Sequence, residues 1–184
     1  MALDRTGILY RRLRIVRNFV MRTLKRRSKV QPSAFVHVSS HIAKDLVAEE
    51  YVFVGKNCEI GPQVRLGRYT MLASAVSIIG QDHVHSDPNV PIQFSGRPAQ
   101  SETVIGRDVW IGRNAIIMRG LIIGDGAIVG AGSVVTRNVP AREVWAGVPA
   151  RKLRDRFMDP ADEAAHRAMV AGPILEPRFA QPQT

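Results

Sequence analysis

Residues 105–135 read IGRDVWIGRNAIIMRGLIIGDGAIVGAGSVV, and an aliphatic residue returns at every sixth position of this stretch. These residues are Ile105, Ile111, Ile117, Ile123, Val129 and Val135. An amphipathic helix repeats its apolar face about every 3.6 residues and a single strand every 2 residues, so a period of six fits neither element alone. It indicates a short strand followed by a corner, repeated many times, which is the sequence pattern of a parallel β-helix.

The same period runs through the preceding part of the chain. Its positions are Val36, Ile42, Ala48, Val54, Ile60, Leu66, Leu72 and Ile78. The two blocks of repeats, residues 34–80 and 104–147, are out of phase, because Ile78 and Ile105 are separated by four hexads plus half a hexad. A loop must therefore leave the coil between the blocks. We predict it at residues 81–103, and such insertions in repeat proteins often carry function.

The chain is predicted to form one all-β domain with helical appendages. Residues 1–33 are expected to form a basic amphipathic helix and a linker, residues 34–149 the β-helix, and residues 150–184 a helical extension with an irregular tail. A short basic helix is expected at residues 150–157. Asp159 and Pro160 have the pattern of an N-cap and a first-turn proline, so they should open a last helix that runs to about Ala171.

The net charge of +10 is concentrated at the N-terminus, where residues 1–30 hold ten Lys or Arg and one acid. Leu9, Leu13, Val16, Val20 and Leu24 recur there at helical spacing. A basic amphipathic helix can pack on protein or lie on an anionic membrane surface, and both alternatives stay open. Nucleic acid is not expected as a partner, because no aromatic stacking platform accompanies the charge.

Nothing in the sequence predicts a membrane span or a signal peptide. No apolar run approaches the roughly 20 residues that cross a bilayer, and no apolar segment precedes a small-residue cleavage site. We therefore expect a cytoplasmic protein. Residues 1–30 are the segment that would attach it peripherally to the inner face of the membrane.

The repeats resemble those of the hexapeptide-repeat acyltransferases. The resemblance rests on the hexads of residues 105–115, on Ile123–Ala127 and Val129–Ser133, and on Ala146–Arg151, which reads AGVPAR. By pattern the chain is most similar to galactoside, maltose and xenobiotic acetyltransferases and to acetyltransferases of polysaccharide biosynthesis, over about residues 34–156. The resemblance implies a left-handed parallel β-helix with about 18 residues per coil. It also implies a homotrimer that binds acetyl-CoA in grooves between subunits.

Acyl transfer from a thioester to a hydroxyl requires a base, and an imidazole with an unperturbed pKa of about 6.5 suits that role. Two histidines, His83 and His85, lie at the start of the predicted loop. The resemblance implies that His83 is the catalytic residue, with His85 as the second choice. Three acids are candidates to orient the imidazole, and the choice among them stays open: Asp82, Asp87 and Glu102.

Coenzyme A carries phosphates and amides, which cations and backbone groups can hold. The resemblance implies five cofactor-binding positions: Arg113, Ala131, Arg137, Arg151 and Arg154. It also implies that Trp110 lines the acceptor or thioester pocket. Zinc chemistry is not expected, because the second block offers no third histidine to join His83 and His85.

The expected function is therefore acetyl-CoA-dependent O-acetylation of a sugar or glycan precursor. Two alternatives stay open. One is N-acetylation of an amino sugar, or the use of another acyl-CoA. The other is a trimeric β-helix scaffold that has lost catalysis. The identity of the acceptor depends on the loop and on the neighbouring subunit.

Overall fold

Short parallel strands wind around one apolar core in the computed structural model, which describes Val16 and residues 29–175. The predicted basic N-terminal helix and the end of the C-terminal tail lie outside the described residues. Three sheets form the three faces of a prism, and from the first strand to the fourteenth the chain visits them in rotation. This is the predicted all-β architecture, a left-handed parallel β-helix, and the fold prediction is confirmed.

The strands are short, and each of the first four coils contributes one strand to every face. Face 1 contains β1 (Phe35–Val36), β4 (Phe53–Val54), β7 (Met71–Leu72), β10 (Trp110–Ile111), β13 (Ile128–Val129), β15 (Glu143–Gly147) and β16 (Ala150–Asp155). Face 2 contains β2 (His41–Ile42), β5 (Glu59–Ile60), β8 (Ser77–Ile79), β11 (Ile116–Met118) and β14 (Val134–Val135). Face 3 contains β3 (Val47–Ala48), β6 (Val64–Leu66), β9 (Thr103–Ile105) and β12 (Ile122–Ile123).

The aliphatic residues of the six-residue period form the interior. All fourteen except Ile42 are buried, and Ile42 is partly buried and packs on the same core. Full burial of one such side chain contributes about 1.5–3 kcal/mol. Cys58 lies in this core with no exposed surface, and burial raises the pKa of its thiol. It is therefore a packed interior residue.

The predicted loop leaves the coil without disturbing the register. Ile60 pairs with Ile78 on the next coil, and Ile78 pairs with Ile117 on the coil after that, although the loop lies between Ile78 and Ile117 in the chain. The whole insertion is therefore accommodated between β8 and β9. A 3₁₀ turn at Ile92–Phe94 lies within it. The loop projects from the corner between faces 2 and 3, which we call corner 2–3.

Most corners turn at a residue with positive φ, three positions after an interior aliphatic residue. The non-glycine examples are Tyr51, Asn57, Gln63, Tyr69, Ala75, Gln81, Asp108, Asn114 and Arg142. Positive φ is uncommon for residues with a Cβ, so the repeated corner imposes it on side chains that would otherwise avoid it. One position after the aliphatic residue, Gly112 is required because a Cβ there would lie 2.5 Å from the backbone nitrogen of Ala131 on the next coil.

The region of residues 150–155 is a strand, and the prediction of a short helix there is wrong. Strand β16 pairs antiparallel with β15, with Ala146 opposite Arg151. Gly147, at φ 101°, opens the connection between them. The last parallel strand of face 1 offers an unpaired edge, and its backbone hydrogen bonds outweigh the helical tendency of a basic segment.

The last helix agrees with its prediction: α1 spans Pro160–Ala171, and the Asp159 side chain accepts a hydrogen bond from the Ala161 nitrogen at 2.8 Å. It packs on the corner between faces 3 and 1, which we call corner 3–1. His166 and Arg156 both contact Asp108 of that corner, at 3.0 and 2.9 Å. Among the described residues, no helix is long and apolar enough to cross a membrane.

Buried Arg68 holds the carboxyl end of α1. Its guanidinium donates hydrogen bonds of 3.1 Å to the carbonyl oxygens of Val170 and Gly172. Arg107 donates to the Val170 oxygen as well, at 3.2 Å. Positive charge at the carboxyl end of a helix also interacts favourably with the helix dipole.

Substitution Arg68→Met should release the end of α1, because it removes two charge-assisted hydrogen bonds to carbonyls at the end of the helix. We expect the free energy of unfolding to fall by about 2 kcal/mol or more, measured by denaturant titration. Arg167→Met is the control, since exposed Arg167 pairs, among the described residues, only with Glu163 of its own helix. Equal effects of the two substitutions would contradict this role for Arg68.

Candidate functional site

The base of the loop is closed by hydrogen bonds into a stem. The Ser101 nitrogen donates to the side-chain oxygen of Gln81 at 3.0 Å, and the Val84 nitrogen donates to the Gly96 oxygen at 3.0 Å. The Ser95 hydroxyl also donates to the Val84 oxygen. Because both sides of the stem are tied, residues 81–84 are held next to the coil.

His83 lies on this stem, between the two closures, and His85 lies just beyond them. Both side chains are exposed, and neither forms a hydrogen bond or ion pair with another residue in the described part of the chain. The stem positions His83 next to corner 2–3 and leaves its imidazole available to a bound molecule.

None of the three candidate orienting acids is hydrogen-bonded to His83 within residues 29–175. Asp87 accepts a hydrogen bond from the Asn89 nitrogen at 2.9 Å, and Glu102 lies 3.8 Å from the Arg65 guanidinium. Asp82 lines a groove on face 2 beside the stem. The choice of orienting acid therefore stays a prediction.

The predicted cofactor-binding residues lie on two edges of face 2 and on face 1. Arg137 follows β14 and lies on corner 2–3, the corner that carries the loop. Arg113 and Ala131 lie on adjacent coils at the corner between faces 1 and 2, which we call corner 1–2. There the Gly132 nitrogen donates to the Arg113 oxygen at 2.8 Å.

Face 1 carries the remaining predicted site residues. Trp110 points outward from β10 and is 54% exposed. Arg151 and Arg154 lie on β16 and are exposed. In a single chain the predicted site residues therefore do not line one pocket, because face 2 separates His83 and Arg137 from Arg113 and Ala131.

The arginines divide into those with and without an acidic partner. Ion pairs with carboxylates are formed by Arg65, Arg107, Arg142, Arg156 and Arg167. Within residues 29–175, no carboxylate pairs with the four predicted cofactor-binding arginines, Arg113, Arg137, Arg151 and Arg154. Arg151 and Arg154 donate only to backbone oxygens. These four guanidinium groups remain available to an anionic ligand.

Sequence analysis missed one arginine at corner 2–3, Arg119, which is 6% exposed. The signal was present in the repeat, since Arg107, Arg113, Arg119 and Arg137 each lie two positions after an interior aliphatic residue. No cluster of three or more His, Cys, Asp or Glu side chains that would suit a metal ion occurs among the described residues.

Comparison with known proteins identifies the repeats and the fold. Residues 102–137 match the family model described as bacterial transferase hexapeptide (six repeats). A hexapeptide-repeat-containing acetyltransferase from Vibrio cholerae is similar at 26% identity and a TM-score of 0.52, over 85% of this chain and 84% of that chain. A serine acetyltransferase in complex with cysteine is similar in fold, at 20% identity and a TM-score of 0.51, over 68% of this chain and 44% of that one.

No curated protein sequence matches the chain. The family model covers the segment in which the six-residue period is most regular, and the Vibrio cholerae structure extends the similarity across both blocks of repeats. Residues 102–137 therefore carry the hexapeptide repeat of bacterial transferases, and the β-helix as a whole is similar to that of the Vibrio cholerae acetyltransferase.

Proposed function

We propose that this protein is an acetyl-CoA-dependent O-acetyltransferase that acts on a hydroxyl of a sugar or glycan precursor. The observation that carries the proposal is the position of His83, on a closed stem at corner 2–3, with no partner in the described chain and with Arg137 on the same corner. Similarity to the acetyltransferase from Vibrio cholerae supports acyl transfer as the reaction class.

The reaction needs one base and no covalent enzyme intermediate. The unprotonated imidazole of His83 accepts the proton of the acceptor hydroxyl as the oxygen attacks the thioester carbonyl. The tetrahedral intermediate then collapses, the carbon–sulfur bond breaks, and the sulfur leaves with the proton that the imidazole carries. The products are the acetyl ester and free coenzyme A, and the histidine returns to its starting state.

The coenzyme binds through groups that the coil presents without acidic partners. Arg113, Arg137, Arg151 and Arg154 supply the positive charge that the phosphates of acetyl-CoA require. Ala131 is an exposed residue at corner 1–2, where the pantetheine amides would lie. Trp110 gives an apolar surface near the thioester or the acceptor.

We infer that the complete site lies between protomers of a trimer. His83 and Arg137 lie at one edge of face 2, and Arg113 and Ala131 lie at the opposite edge. One coenzyme molecule would contact residues at both edges if it lay in a groove between neighbouring chains. Face 1 also presents a column of exposed apolar residues in register, Phe53, Met71 and Trp110, at 36, 50 and 54% exposure. A contiguous apolar patch of this kind is typical of an interface.

Substitution His83→Ala should lower kcat by about 10²–10⁴-fold and leave the affinity for coenzyme A unchanged, because only proton transfer is lost. Free thiol release from acetyl-CoA measures turnover with neutral sugars and an amino sugar as acceptors, and calorimetry measures coenzyme binding. His37→Ala is the control, since His37 lies on the first coil and forms a hydrogen bond with the Ser39 side chain. Turnover above about a tenth of wild type would exclude His83 as the base.

Light scattering should give a molar mass of three times the 20.3 kDa chain mass.

In trimers co-expressed from His83→Ala and Arg113→Ala chains, a site with His83 from one chain and Arg113 from its neighbour would be intact in about one quarter of random pairings. We therefore expect the mixture to regain about that fraction of wild-type turnover at limiting acetyl-CoA, although each variant alone is nearly inactive. No recovery would place both residues in the same protomer.

Residues 1–30 are proposed to attach the protein to an anionic membrane surface, where a lipid-linked glycan precursor would be concentrated. Each Lys or Arg near such a surface contributes about 1 kcal/mol, and salt weakens the attraction. The full-length protein should pellet with anionic vesicles at low salt, and it should not pellet with neutral vesicles or after deletion of residues 1–30. Recovery in the supernatant with anionic vesicles would favour packing of this segment on protein.

A further inference from the structure

A solvent-open groove of about 620 Å³ runs along face 2 and ends at corner 2–3. Its polar lining includes His41, Glu59, Asp82 and Arg119. Asp82 precedes His83 in the chain, so this end of the groove adjoins the proposed base. A molecule held in the groove would therefore lie beside the position from which His83 removes a proton.

Arg119 is the unusual member of this lining. Its side chain is 6% exposed and runs over Gly61, where an added Cβ would lie 3.2 Å from the arginine Cδ. The glycine thus leaves space for the side chain. Nη1 of Arg119 donates to the Gly80 oxygen at 3.4 Å, whereas Nε and Nη2 are buried and have no hydrogen-bond partner in the described residues.

A buried guanidinium with two unsatisfied donors is energetically unfavourable, and no carboxylate of the described chain compensates it. Asp82 lines the same groove, yet within residues 29–175 it does not form an ion pair with Arg119. Nε and Nη2 form one edge of the planar group, and that edge matches two oxygens of a carboxylate or a phosphate. An anion with paired oxygens would satisfy both donors.

We propose that Arg119 binds an anionic substituent of the acceptor, a carboxylate or a phosphate on a saccharide, and thereby positions the acceptor hydroxyl beside His83. This inference rests on the proposed acetyl transfer. The carboxylates of Glu59 and Asp82 accept hydrogen bonds from neutral sugar hydroxyls, and Arg119 pairs with the anionic group. Because Nε and Nη2 are buried in the free protein, the Arg119 side chain must shift before an anion can reach them.

The experiment measures binding to the full-length protein without acetyl-CoA, by calorimetry at constant ionic strength. The probes are D-glucuronate, D-glucose 6-phosphate and the neutral methyl D-glucoside. We expect at least one anionic sugar to bind about tenfold or more tightly than the neutral one, as a charge-assisted hydrogen-bond pair predicts. Comparison of D-glucuronate with D-glucose 6-phosphate shows whether the anionic group is a carboxylate or a phosphate.

Substitution Arg119→Met should reduce binding of the anionic sugar to the level of the neutral one. Arg119→Lys should weaken it as well, because the charge remains and the paired donors are lost; this variant also tests the proposal if the methionine variant does not fold. Arg65→Met is the control, since Arg65 is exposed on face 3 and pairs with Glu102. Its anion binding should match that of wild type.

Two results would overturn the inference: no preference for either anionic sugar in wild type, or a preference that survives Arg119→Met. Both can be separated from failure of the proposed reaction, since binding is measured without acetyl-CoA. Acetyl transfer to neutral sugars alone would exclude the anionic acceptor and leave the proposed transferase activity intact. Tighter binding of an anionic sugar by a protein that releases no free coenzyme A from acetyl-CoA would support the anion site and exclude the proposed transferase activity.

Discussion

The stacking of each interior side chain on its equivalent in the next coil is the constraint on which the rest of the molecule depends. Ile60, Ile78 and Ile117 are neighbours in register on successive coils, although the loop lies between the last two in the chain. A slip of one residue would turn the interior side chains outward. Any insertion must therefore leave and re-enter the coil at one corner, which is why the loop that carries His83 has a closed stem.

The same constraint determines where the arginines lie and what they contact. A residue two positions after an interior aliphatic lies at a corner and points away from the core, so the corner decides what it contacts. At corner 3–1, Arg68 and Arg107 meet the carboxyl end of α1 and hold it. At the other two corners the equivalents Arg113, Arg119 and Arg137 find no carboxylate in the described chain. The arginines that hold α1 and those proposed to bind ligands thus lie at different corners and share one position in the repeat.

The sequence predicted the β-helix and the loop because a six-residue period and its phase break are local signals. It did not predict β16, because strand formation at Arg151 depends on the edge offered by β15, a tertiary contact. The positive φ at Tyr69 and Ala75 was equally hidden, since neither residue type favours it. For the site, the sequence singled out His83 and four unpaired arginines. It missed Arg119, whose significance lies in its burial without a partner.

Because the repeat is regular, a buried polar group that lacks a hydrogen-bond partner is an exception that needs a physical reason. Where neighbouring coils satisfy almost every buried group, a buried guanidinium with two free donors is a cost that packing alone does not repay. Natural sequences depart from local rules mainly at functional sites, where a ligand supplies the missing interaction. The fully packed core beneath face 2, with Ile78 and Ile117 at no measurable exposure, provides the stability that tolerates this cost. The two unsatisfied donors of Arg119 are therefore the reason why we propose that the acceptor binds at corner 2–3.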